Sequence, residues 1–117
     1  MSDKEIEQEI QAKGKTAPRI TPDHIESVIA CEHYFTAQDG VNSAYSTPRS
    51  KAAPASLSCL TFCVLTLDNG FTVTGESACA SPENFDAEIG RKIARENAIN
   101  KVWMLEGYLL KQHLSEQ

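Results

Sequence analysis

The chain has no apolar run approaching the ~18 residues that a membrane span needs. Its first residues, MSDKEIEQEIQ, hold no signal-peptide core. Both absences predict a soluble, cytoplasmic protein with no membrane partner. Basic residues are in deficit: 11 Lys and Arg stand against 16 Asp and Glu, for a net charge of −5. Proteins that read duplex nucleic acid draw much of their affinity from phosphate neutralisation, so this balance argues against that function. It still allows a local basic pocket for a small anion. With 117 residues there is room for one domain and one modest core.

Cysteine is also scarce. The four thiols are Cys31, Cys59, Cys63 and Cys79, and without a secretory signal the expected state is reduced. A zinc site would add His24 or His33. Cys59 and Cys63, however, fall in a strand pattern, where side chains four apart are roughly 13 Å apart. Ligands of one tetrahedral ion sit within about 4 Å of each other. The pair cannot share a metal. The reading is four core cysteines and no metal or cofactor, with Cys31-x-His33 as the residual candidate.

What is present sorts along the chain. Residues 1–20 are charged and small, with Ile6 and Ile10 the only large apolar side chains before Ile20, and read as a mobile tail rather than a frayed helix. Residues 21–117 then form a single α+β domain. Thr21-Pro22-Asp23 combines an N-cap, a first-turn proline and an acid. Ile25, Val28, Ile29 and Glu32 follow at helical spacing, so a helix is expected over about 22–33, with Tyr34 and Phe35 as anchors at its end. Residues 36–56 are small, polar and punctuated by Pro and Gly, and read as a flexible loop.

Residues 57–67 and 71–80 flank Asp68-Asn69-Gly70 and predict a hairpin. A two-residue turn would put Leu60, Phe62 and Val64 on one face with Phe71 and Val73. A three-residue loop with left-handed Gly70 would place Leu65 and Leu67 there instead. The first strand is apolar on both faces and should be central. Two strands are marginal alone, so a further strand from 41–55 or a partner chain is required.

GESAC, residues 75–79, lacks the second glycine of a nucleophile elbow, and the chain is too short for a hydrolase sheet of that kind. No histidine lies near in sequence to serve Cys79 as a base. Ser81-Pro82-Glu83 repeats the grammar of Thr21-Pro22-Asp23, so this stretch reads as a strand end and helix cap. No catalytic residue is assigned.

From about 83 to 113 only Gly90 and Gly107 interrupt a helical pattern. A straight helix of that span would be about 48 Å long, against a radius of gyration of roughly 13–14 Å for a compact domain of this size. It must kink, most simply near Gly107, or project. Phe85, Ile89 and Ile93 form one apolar stripe; Ala94, Ala98, Val102, Leu105 and Leu109 form a second; Ile99, Trp103 and Leu110 form a third. One small sheet cannot cover all three. A homo-oligomer built on Ala98, Val102, Trp103, Leu105 and Leu109 is expected. Near the helix start, Arg91 and Arg95 could fork onto phosphate oxygens, Asn97 could read a base or ribose, and Phe85 and Tyr34 could stack on a ring.

The run NGF…GESAC…NFD…IG…IA…NA…W.LEGYLL, preceded by TPDHIESVIACEHYF, resembles a family of small tailed-phage and prophage proteins. That family is known by gene products forty-nine and sixty-six of two podoviruses, and the resemblance spans about 21–35 and 57–112. It implies a phage or prophage accessory protein working in the cytoplasm of a bacterial host. The expected architecture is also similar to the phage anti-Thoeris "sponges". Those have a sheet followed by kinked C-terminal helices, assemble through the helices and sequester cyclic ADP-ribose-type or cyclic oligonucleotide signals. That likeness implies a non-enzymatic protein binding a small anionic nucleotide. The alternative is a protein-binding inhibitor of a host factor that uses Tyr34, Phe35 and the 36–56 loop.

Overall fold

A computed structural model describes residues 2–44 and 54–117. Three antiparallel strands lie in the order β1 (Ile29–Thr36), β2 (Leu60–Leu67), β3 (Thr72–Ala78). The helices are α1 (Asp3–Ala12), α2 (Pro22–Ser27), α3 (Ala37–Ala44) and α4 (Ala87–Ser115), and short 3-10 turns occupy Ala55–Cys59 and Pro82–Asn84. The fold is α+β. Helix α4 covers one face of the sheet, and β2 is the central strand.

The hairpin takes its three-residue form. Leu67 accepts at its carbonyl from Gly70 N–H and donates its own N–H to Phe71 O, both at 2.8 Å. Gly70 has φ of +87°, a backbone region that side chains avoid. Leu65 therefore faces Val73, and the buried face of the hairpin is Thr61, Cys63, Leu65, Leu67, Val73 and Gly75. Against it pack Ala94, Ala98, Ile99 and Val102 of α4, with Ile25 from α2. Gly75 allows the close approach. A Cβ there would lie 2.2 Å from the Ala94 carbonyl oxygen and 2.3 Å from the Ala98 nitrogen.

Four expectations need correction here. The helix from Thr21 ends at Ser27, not near residue 33, and residues 29–36 form the third strand. Thr21 does cap α2, accepting from His24 N–H at 3.1 Å. Beyond Ser27, however, the β-branched and aromatic residues IACEHYFT supply the edge that β2 needs, and tertiary pairing overrides the 3/4 spacing. The required strand is thus β1 rather than a segment of 41–55. Residues 37–44 of the expected loop are helix α3, and residues 45–53 lie outside the described residues. Lastly, Ser81 makes no side-chain cap and opens only a 3-10 turn, whereas Asp86 caps the long helix by accepting from Ile89 N–H at 3.0 Å.

Helix α4 continues unbroken through Gly107 rather than kinking there. It projects: the molecule measures 60 × 30 × 18 Å, with a radius of gyration of 18.3 Å. Among the described residues no helix is long and apolar enough to cross a membrane.

Residues 3–12, read from sequence as part of a mobile tail, form helix α1. Ser2 and Glu5 make a reciprocal capping box, which holds the first turn closed. No α1 side chain is buried. The helix is held by Glu7, which pairs with Arg19 through two hydrogen bonds, and by Asp3, which accepts from Trp103 Nε1 at 3.1 Å. Arg19 holds the Glu7 carboxyl below its usual range. The pairing is therefore present at neutral pH, persists through the ordinary carboxylate range, and is lost only as pH falls through that lowered value. Beneath α1 is a cavity of about 760 Å³ floored by Ile25, Ile99 and Trp103. Arg19→Ala should release α1 and shift the emission of Trp103, the only tryptophan, to the red, with little change in global melting. Emission identical to wild type would show that α1 does not depend on this pair.

Candidate functional site

The residues expected to form one ligand site separate into two groups. Tyr34, Phe85 and Arg91 meet at a cleft of about 140 Å³, together with Phe35, Thr36, Asp39, Thr61 and Ala87. The end of β1 leads into α3 on one side of it. On the other side the turn at Pro82–Asn84 delivers Phe85 and then the start of α4. Two helix N-termini thus flank the cleft, each with its own aspartate: Asp39 accepts from Thr36 N–H at 3.0 Å, and Asp86 from Ile89 N–H at 3.0 Å.

The floor is Thr61, which is 3% exposed, and its hydroxyl has no hydrogen-bond partner among the described residues. Leaving a buried hydroxyl unpaired costs about 1–3 kcal/mol, so the site is incomplete as a structural element. Gly90 lets Thr61 and Phe85 pack closely against α4. A Cβ there would stand 3.0 Å from Thr61 Oγ1 and 3.4 Å from the Phe85 ring. Arg91 is exposed at the rim and makes no ion pair among the described residues.

Arg95 is elsewhere and already engaged. Its Nη1 and Nη2 fork onto the Glu26 carboxylate at 3.1 and 2.7 Å, and its Nε donates to Glu32 at 2.7 Å. The bonds to Glu26 and then Glu32 raise its affinity for its proton, and Arg95 in turn holds Glu32 below the usual carboxylate range. It ties α4 to α2 and β1, whereas Arg91 makes no such pair among the described residues, so the two arginines expected to act together are differently engaged. Arg95→Ala should lower stability by about 1 kcal/mol while leaving the cleft intact, a contrast that denaturant titration beside ligand titration would read.

Asn97 is likewise structural. Its amide donates to the Glu76 carbonyl at 2.8 Å and pins α4 to β3, at the opposite edge of the sheet from Arg95. Tyr34 is partly available. Its ring packs against the core, and its hydroxyl donates to Glu32 at 3.1 Å. Burial first and this bond second push its ionisation well above the ordinary phenol.

The expected oligomer surface also changes. Ala98 and Val102 are each 0% exposed within the single chain and have no side-chain surface to offer a partner. Trp103 is half-buried beside the core. Leu105 and Leu109 do remain exposed, with Met104 and Tyr108 beside them, and Phe71 stands on the hairpin turn. Of the cysteines, Cys59 and Cys63 are buried, Cys79 is half-buried and Cys31 is exposed, so the expectation of four core thiols is corrected for the last. Burial pushes the Cys63 thiol up. Cys31 and His33 both lie on the uncovered sheet face. Among the described residues no three His, Cys, Asp or Glu side chains are grouped to hold a metal.

Sequence reasoning missed Thr61 and Gly90. Thr61 sits at an ordinary alternation position in β2, and its lack of a partner is a property of the packed structure alone. Gly90 did carry a signal, since a glycine inside a helix is disfavoured by about 1 kcal/mol and calls for a packing reason.

No curated protein and no solved structure matches the chain. The model of the phage protein (N4 Gp49/phage Sf6 gene 66) family matches residues 20–114, which takes in the sheet, the cleft and nearly all of α4, and the chain belongs to that family.

Proposed function

We propose that the protein is a non-enzymatic phage accessory protein that binds, and thereby sequesters, a small anionic nucleotide signal of the host. The observation that carries this reading is the unpartnered Thr61 hydroxyl at the floor of a cleft walled by Phe85 and rimmed by Arg91. An aromatic face, a cation and an unused hydroxyl are the groups a base-plus-phosphate ligand needs. At about 140 Å³ the cleft takes one ring or one phosphate, below the ~300 Å³ at which whole-ligand pockets begin. The remainder of the ligand lies over the rim or against a second copy.

Homo-oligomerisation belongs to the same proposal. Phe71, Met104, Leu105, Tyr108 and Leu109 form the contact between copies, on the part of the molecule where α4 projects. A rival reading, inhibition of a host protein, draws support from the uncovered sheet face, where Phe35 is 41% exposed and lies 5.6 Å from Phe62 between ring centres.

Thermal-shift screening against cyclic ADP-ribose, cyclic dinucleotides and cyclic trinucleotides tests the ligand, because a compound bound only by the folded chain raises its melting temperature. Arg91→Ala should weaken the best binder by about 1.5–3 kcal/mol, roughly 10- to 150-fold. No stabilisation by any of these, with a host protein retained through the Phe35 face, would favour the rival.

A further inference from the structure

The strand register brings two of the four thiols opposite each other. Leu60 pairs with Ala78 at the last rung of the β2–β3 ladder, and just beyond it Cys59, the last residue of the Ala55–Cys59 turn, stands across from Cys79. A backbone bond joins them: Cys79 N–H donates to the Cys59 carbonyl at 3.2 Å. Opposed residues of this hydrogen-bonded type have Cα atoms roughly 5.5 Å apart, inside the ~4.4–6.8 Å window for a disulfide. Thr61 and Ser77, on the helix-covered side, form the second rung inward from this pair. The other thiols have no such partner. Cys63 is opposite Gly75 and Tyr34, and Cys31 is opposite Thr66.

Accessibility divides the work within the pair. Cys59 is 3% exposed, whereas Cys79 is half-buried and its Sγ donates to the Ser81 carbonyl at 3.1 Å. We propose that Cys59 and Cys79 form a redox-modifiable pair, oxidised by low-molecular-weight disulfides to a bridge between the entry to β2 and the exit from β3. The Cys79 thiolate attacks the reagent disulfide and takes one half as a mixed disulfide, releasing one reagent thiol. The Cys59 thiolate then attacks the Cys79 sulfur, expelling the second reagent thiol. The two protons lost by the cysteines leave on the two released thiols, and the reagent disulfide is the species reduced. Bridging removes the Cys79–Ser81 bond at the start of the segment that carries Phe85, so oxidation bears directly on the cleft wall.

The test is incubation of the reduced full-length protein with excess oxidised glutathione, followed by intact-mass measurement and non-reducing peptide mapping. The expected product carries one cross-link between the Cys59 and Cys79 peptides, and is lighter by two hydrogen atoms than the same species without it, whether or not the exposed Cys31 carries glutathione. Cys59→Ala should stop at a stable glutathione adduct on Cys79. A wild-type product that also stops at that adduct, or cross-links through Cys31 instead, would overturn the proposal. So would Cys59 and Cys79 left unmodified under conditions that oxidise Cys31.

Discussion

Gly75→Ala should lower stability by about 3 kcal/mol, the upper end of overpacking costs, or prevent folding altogether. The obstacles at that position are backbone atoms of α4, the Ala94 oxygen at 2.2 Å and the Ala98 nitrogen at 2.3 Å, and neither can rotate aside. To admit one methyl group the helix must lift from β3, which opens the contacts of Ala94, Ala98 and Val102, all 0% exposed. Thermal melting measures the effect, with an expected loss of roughly 10 °C or more. Gly107→Ala provides the control, because among the described residues nothing lies within 4 Å of a Cβ there, and it should be neutral or mildly stabilising. Equal melting temperatures for the two variants would mean that α4 does not pack on the sheet as described.

Val102→Glu and Leu105→Glu should part company, although both lie on the same apolar stripe by helical spacing. Val102 is 0% exposed, so its glutamate would place an unpaired carboxylate in the core, at a cost of more than about 3 kcal/mol. That chain should be insoluble or unfolded. Leu105 is 39% exposed, and its glutamate should cost about 1 kcal/mol or less while reducing self-association. Denaturant titration and sedimentation velocity read the two effects separately. Wild-type sedimentation of a folded Leu105→Glu chain would remove the proposed contact between copies.

This contrast also marks how far the sequence could be read. The stripes of α4 were visible as periodicity, but periodicity does not say which stripe meets the chain's own sheet. That choice depends on Gly75, whose meaning as a site of close backbone approach is available from a lone glycine inside a strand. The hairpin turn was legible as Asp-Asn-Gly. Its register was legible only as two alternatives, because both faces of β2 are apolar. The third strand was hidden because Ile25, Val28, Ile29 and Glu32 satisfy helical spacing, and β1 is chosen by its partner strand. Of the candidate site, Phe85, Arg91 and Tyr34 do converge. The ion pairs of Arg95 were not legible, because its partners, Glu26 and Glu32, are more than sixty residues away in sequence.

The most direct measurement of the central claim is mass spectrometry of small molecules released by denaturing protein purified from bacterial host cells. Wild-type protein should release an anionic nucleotide in near-stoichiometric amount, Arg95→Ala should retain it, and Arg91→Ala should have lost it. Release of the same compound in the same amount from Arg91→Ala, or of no such compound from the wild type, would contradict the account.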